Sequence, residues 1–87
     1  MKGKYTKILQ DCINIAEERE ESYGDILTNF TEIQTILLCN FKIELSIEEI
    51  ANVFIAIKIA RNKHKHSEDN IKDLINYFAI LQYLHEK

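Results

Sequence analysis

The chain has 87 residues, 46% of them hydrophobic and 29% charged, which suits one globular domain. Its formal charge of −3 argues against a generic duplex-DNA binder, which shows a basic face and a high pI. No run of about 18 apolar residues is present, so no transmembrane helix is expected, and two cysteines make no secreted disulfide framework.

Cys12 and Cys39 fall in apolar, helix-like segments and read as free, buried small hydrophobes. The start, Met1 to Thr6, is polar and lysine-rich, and Gln10, Asp11 and Asn14 interrupt the next apolar stretch, so no signal peptide is expected. These features together predict a soluble protein of the cytoplasm. Proline is absent and there are two glycines, Gly3 and Gly24, a composition that favours long helices over sheet turns.

The first helix is expected from about Tyr5 to Glu21, with Ile8, Leu9, Cys12, Ile13 and Ala16 on its buried face and Ile15 widening the stripe. It ends in the acidic run Glu17, Glu18, Glu20 and Glu21, where negative charge opposes the helix dipole. Ser22-Tyr23-Gly24-Asp25 is the first break, with Gly24 suited to a left-handed helix end and Asp25 to the next N-cap. The second helix runs to about Cys39, with Leu27, Phe30, Ile33, Ile36 and Leu37 turned inward. Asn40 to Leu45 reads as an apolar loop packed on the bundle.

Ser46 and Glu49 form a Ser-x-x-Glu capping box and open a third helix, about Ile47 to Arg61. Between Ile50 and Ala60 its only polar residues are Asn52 and Lys58, so it should be the central helix, buried on nearly all sides, or face another subunit in part. A polar loop, Asn62 to His66, leads to Ser67 as a cap and Glu68 and Asp69 in the first turn of the fourth helix. Ile71, Leu74, Ile75, Phe78, Leu81 and Leu84 are its expected core face. The fold class is therefore all-α, a compact bundle of about four helices. A chain this short buries only about 60–65% of its unfolded surface, so a homo-oligomer is expected as well.

Polar residues interrupt the apolar pattern in three places: Arg19, Tyr23, Gly24, Asp25 and Asn29 at the first break; Lys58 and Arg61 on one face of the third helix; and Asp69, Asp73 and Tyr77 on one stripe of the fourth. An antiparallel hairpin of helices three and four would set Lys58 and Arg61 near Asp69 and Asp73. That cluster either pins the hairpin by ion pairs or opens as a polar pocket. As a pocket, Arg61 would clamp a phosphate and Lys58 add a point charge, Asp69 and Asp73 could hold Mg²⁺, and Tyr23 or Tyr77 could stack on a base. His64, His66 and His85 read as solvated rather than as metal ligands, and the Glu17–Glu21 run as a solvated face. No Walker loop, dinucleotide turn or zinc pattern is present.

The pieces Arg19-x-x-x-Tyr23-Gly24-Asp25, Asn29-Phe30, Lys58-Ile59-Ala60-Arg61, Asp69-x-x-x-Asp73 and Tyr77 resemble a family of small phage and prophage proteins. The resemblance runs from about Ile8 to Leu84. That family is similar in turn to the MazG-like all-α nucleotide pyrophosphohydrolases and to phage nucleotide-modification-associated helical domains. It implies a helical bundle, oligomerisation and a nucleotide phosphate as ligand. The chain departs from the MazG-like pattern where paired glutamates should hold Mg²⁺ on the third helix, for Lys58 and Arg61 stand there instead. Acids replaced by bases favour direct anion binding, so the expected function is a phage or mobile-element protein that binds a nucleotide or nucleotide-derived signal, with sequestration ahead of hydrolysis. The competing expectation is a protein–protein inhibitor of a host defence enzyme, for which small size, acidic charge and the apolar third helix speak. Arg19, Tyr23, Lys58, Arg61 and Tyr77 are the candidate ligand contacts.

Overall fold

The computed structural model describes residues 3–86, so Met1, Lys2 and Lys87, with the expectation placed on the extreme N-terminus, lie outside it. Among the described residues four helices run in order: α1 (Lys4–Tyr23), α2 (Ile26–Phe41), α3 (Ile47–His64) and α4 (Glu68–His85). The all-α expectation holds, and no helix is long and apolar enough to cross a membrane.

The helix ends show why these segments form. Asp25 caps α2 by accepting from the Thr28 backbone N–H at 3.1 Å. Ser46 and Glu49 make both halves of the capping box at the start of α3, 3.0 and 2.9 Å long. Ser67 makes no side-chain cap; its own backbone N–H instead donates to Asn62 Oδ1 at 3.0 Å. That bond tightens the α3–α4 connection, and α3 continues to His64 through the first half of the expected polar loop. α2 ends on Lys42 with φ 55°, where the Ile43 N–H reaches back to the Leu37 carbonyl at 3.1 Å, a Schellman-type end without its usual glycine.

The hairpin of α3 and α4 is the centre of the molecule. α2 packs chiefly on α3 and α1 chiefly on α4, while α1 and α2 scarcely touch. A 20-residue helix is only about 30 Å long, so extents of 48 × 29 × 23 Å require the helices to be offset along the long axis. Phe30, Ile50, Ala51 and Leu84 form the fully buried core, with Leu27, Ile33, Leu37, Phe54 and Ile80 packed around it. Glu48 Oε1 and His85 Nδ1 approach to 3.5 Å at the open end of the hairpin.

Several expected burials are corrected. α3 is not enclosed on nearly all sides, because Val53, Ile57 and Ile59 are exposed, and only the stripe through Ile50, Ala51 and Ile55 is buried. α4 buries Leu84 and packs Leu81 on the core as expected, and Ile71, Leu74 and Ile75 are half-buried; Phe78 is exposed instead, and Asp73, Tyr77 and Ile80, outside the expected stripe, also turn inward. On α1 only Cys12 is fully buried; Leu9, Ile13 and Ala16 are exposed. Ile36 is exposed too, and of the apolar loop residues Leu45 is half-buried while Phe41 and Ile43 face outward. Both cysteines are free, but Cys39 is exposed rather than buried.

Candidate functional site

Asp73 is the buried charge at the centre of the polar cluster. α4 presents it inward one turn before Tyr77, and the antiparallel α3 brings Lys58 opposite. Lys58 Nζ lies 2.7 Å from Asp73 Oδ2, and Arg19 from α1 reaches Oδ1 at 2.9 Å. The three side chains differ in exposure, 11% for Asp73, 18% for Lys58 and 46% for Arg19. Burial alone would raise the Asp73 carboxyl, but the hydrogen bonds from Lys58 and Arg19 outweigh it and hold the group below the ordinary carboxylate range. Two cations thus share one carboxylate.

This trio forms part of the wall of a cleft of about 620 Å³. The cleft opens between the α3–α4 hairpin and the α1–α2 break. Phe54 and Tyr77 also line it, their rings nearly parallel at 5° with centroids 5.4 Å apart, and Phe30 backs the stack at 5.7 Å from Phe54. Tyr23, Gly24, Asp25 and Asn29 form the opposite rim, with Tyr23 largely exposed. Gly24 takes φ 81° and ψ −163°, a conformation nearly restricted to glycine, and it separates α1 from the cap of α2. Asn76, also on the lining, has its Nδ2 buried without an acceptor among the described residues.

The cleft is not uniformly basic. Arg19 and Lys58 are opposed by Asp73, Glu20 and Asp25, so its lining carries three acids against two bases. Lys58 and Asp73 lie deep, whereas Arg19, Glu20 and Asp25 are exposed, and Asp25 already accepts from Thr28.

A second ion-pair group lies on the α1-facing side of α4. Lys72 Nζ is 3.3 Å from both Asp11 and Glu68, and Lys7 is 3.5 Å from Asp11. The Lys72 hydrogen bond lowers the Asp11 carboxyl, and bonding to Asp11 and Glu68 raises Lys72. The Cys12 thiol, 3.7 Å from the Lys72 carbonyl, is pushed up by burial.

Of the residues picked out by sequence, the structure gathers Arg19, Tyr23, Lys58, Asp73 and Tyr77 around one cleft. It leaves two outside. Arg61 is exposed on a separate shallow hollow with His64, Lys65, His66 and Asn70, and it has no ion pair among the described residues. Asp69 is exposed and does not line the cleft. Both oxygens of Asp73 are engaged by cations, so the Asp69–Asp73 pair does not present two free carboxylates to Mg²⁺. No group of three or more His, Cys, Asp or Glu side chains gathers at metal-binding distance among the described residues. Phe54, Asn76 and Glu20 escape a sequence reading: Phe54 looks like ordinary core, and nothing in the pattern distinguishes Asn76 or Glu20 from a solvated face.

No curated protein and no solved structure matches the chain. One family model does, described as a domain of unknown function, DUF6378, and it covers residues 7–85, including every element that lines the cleft. The match supplies a family without an activity: the chain belongs to the DUF6378 family.

Proposed function

We propose that the chain binds a small ligand of nucleotide type, with an aromatic ring and a single phosphate or cyclic phosphate, in the cleft between the hairpin and the α1–α2 break. The observation that carries this reading is the pairing of Lys58 and Arg19 on one carboxylate beside a ring platform. One positive charge at that depth is in excess of Asp73, and Arg19 is exposed enough to turn toward a ligand. The volume lies within the roughly 300–1,000 Å³ common for small-molecule sites. Tyr77 offers a stacking surface, Tyr23 can close over the mouth, and Asn76 Nδ2 offers a donor for a ligand oxygen. The acids at the rim disfavour a triphosphate, whose charge the two cations would not balance.

Binding is favoured over hydrolysis. A catalytic Mg²⁺ needs carboxylate oxygens that Arg19 and Lys58 already occupy on Asp73, and Asp69 would have to be recruited from outside the cleft. The setting that goes with the sequence resemblance is a phage or mobile element in the cytoplasm of its host, where the protein would hold a nucleotide or nucleotide-derived signal. A homo-oligomer belongs to the same reading.

The test is a thermal-shift series with nucleoside monophosphates, cyclic nucleotides, triphosphates and inorganic phosphate, with and without Mg²⁺. A ligand at one hundred times its dissociation constant adds about 2.7 kcal/mol of stability. A monophosphate or cyclic nucleotide should stabilise the protein, and Arg19→Ala should abolish the shift while leaving the helical signal intact. No shift with any member of the panel overturns the proposal. The second reading, an inhibitor of a host defence protein, draws on the exposed apolar side chains of α1, α2 and α3. It predicts a stable complex with a protein partner and a ligand-independent melting curve.

A further inference from the structure

We propose that α1 is a detachable arm: it swings off the α3–α4 hairpin as a unit, hinged at Gly24, while α2, α3 and α4 stay folded, and it takes one wall of the cleft with it. Among the described residues, no side chain of α1 belongs to the core of Phe30, Ile50, Ala51 and Leu84 or to the half-buried apolar side chains packed on that core. The core therefore closes without α1. The side chain that α1 buries fully is a small one, Cys12. Ile8 and Ile15 are half-buried, and Tyr5, Leu9 and Ile13 stay exposed. A face this thin holds weakly, because apolar stabilisation scales with the area taken out of water.

Polar contacts reinforce the docking, and they fall on two adjacent residues of α4. The Cys12 thiol donates to the Lys72 carbonyl at 3.7 Å, Asp11 Oδ2 lies 3.3 Å from Lys72 Nζ, and Arg19 Nη2 lies 2.9 Å from Asp73 Oδ1. Each of the carboxylates and Lys72 has a second partner on its own side of the contact. Asp11 pairs with Lys7 within α1, Lys72 pairs with Glu68 within α4, and Asp73 holds Lys58 across the hairpin. Undocking therefore strands no buried charge, which is the event that makes breaking an interior ion pair costly. Arg19, already exposed, returns to water. The joint is prepared as well. Gly24 takes φ 81°, nothing lies within 4 Å of the position a Cβ would occupy there, and α1 and α2 scarcely touch. Local opening of the least-packed element, turning on a few residues at its end, is how a domain commonly yields below its global stability. Ala16, Arg19, Glu20 and Tyr23 move with α1, so the cleft loses that wall. No ligand is needed for this motion.

Hydrogen exchange read by mass spectrometry, with thiol labelling of the full chain in a Cys39→Ser background so that Cys12 alone reports, tests this. The amides of α1 should exchange as a group, at least about tenfold faster than those of the core turns of α3 and α4. Asp11→Asn combined with Arg19→Gln should raise the Cys12 labelling rate about tenfold. Ile50→Val, in the core that α1 does not enter, should lower stability to urea and leave the Cys12 rate unchanged. A Cys12 rate that rises with Ile50→Val in step with the lost stability means that the thiol is reached by global unfolding, and overturns the proposal. So do an unchanged rate in the double variant and α1 amides as well protected as those of α3 and α4. The exchange pattern of the unmodified chain decides the matter even if the double variant loses its helical signal.

Discussion

Replacing Asp73 with asparagine keeps the side chain's shape and removes the one charge that Lys58 and Arg19 share. Both cations then remain beside an uncharged neighbour. Removing one partner from a buried ion pair costs about 3–5 kcal/mol. Lys58, 18% exposed, keeps most of that penalty, whereas Arg19, 46% exposed, is largely resolvated and contributes nearer the fraction of a kcal/mol typical of surface pairs. The expected loss for Asp73→Asn is therefore about 2–3 kcal/mol. For a domain of this size each kcal/mol moves Tm by about 4–8 °C, so the variant should melt roughly 8–24 °C lower at neutral pH. The pH dependence gives a second readout. The folded carboxyl lies below its ordinary value of 3.8, so its contribution is full above that pH and is lost as pH falls through the folded value. Urea unfolding of the two proteins should show the full gap near neutral pH, and the gap should close as the solution is acidified below 3.8. Glu20→Gln, on the same cleft but exposed and without an ion pair among the described residues, should change stability by less than about 0.5 kcal/mol. A loss under about 0.5 kcal/mol for Asp73→Asn, or a gap that persists unchanged in acid, would refute the account of Asp73 as the anchor of two cations.

Gly24→Ala meets no atom within 4 Å of the added methyl, so its cost should come from backbone strain at φ 81° alone, about 1–3 kcal/mol by urea unfolding. Ser46→Ala removes one half of an intact capping box and should cost about 1 kcal/mol in the same assay, whereas Ser67→Ala, which removes no cap bond, should be nearly silent. In thiol labelling under mildly alkaline conditions the exposed Cys39 should react at once, and Cys12, buried and with its thiol pushed up, should react only at the rate of opening. Equal labelling rates for the two would contradict the burial of Cys12.

What the sequence discloses and what it hides have different physical origins. Helix starts are legible because a cap is a local device: Asp25 with Thr28, and Ser46 with Glu49, lie three residues apart and need no tertiary context. The inward face of α4 is only partly legible, because the helix is apolar over more than one stripe. Periodicity picks out Leu81 and Leu84, which reach the core, and Phe78, which does not, and it misses Tyr77 and Ile80, which tertiary packing turns inward with Asp73 at the end of their stripe. The polar cluster is half legible for the same reason. Lys58 and Asp73 meet across the hairpin as its short connection requires, but Arg61, three residues on, lies one turn nearer the connection and makes no contact with Asp73. Arg19 takes the place expected of Arg61, a long-range contact across 54 residues that no local pattern encodes.

That substitution of one arginine for another changes what the cluster does. With Arg61 the cations would both have belonged to α3, and the pocket would have been a property of the hairpin alone. With Arg19, α1 is tied to the hairpin through Asp73, near the point where α1 and α2 part at Gly24. On the proposed reading, an anion entering the cleft would compete with Asp73 for the same guanidinium. Binding there would loosen the bond that holds α1 while adding a new bridge between α1 and Lys58, and the stability of the α1 contact and the affinity of the cleft would be coupled through a single carboxylate. A neutral residue at position 73 should weaken the first and strengthen the second, a pairing of effects that neither a purely structural ion pair nor a site confined to the hairpin would produce.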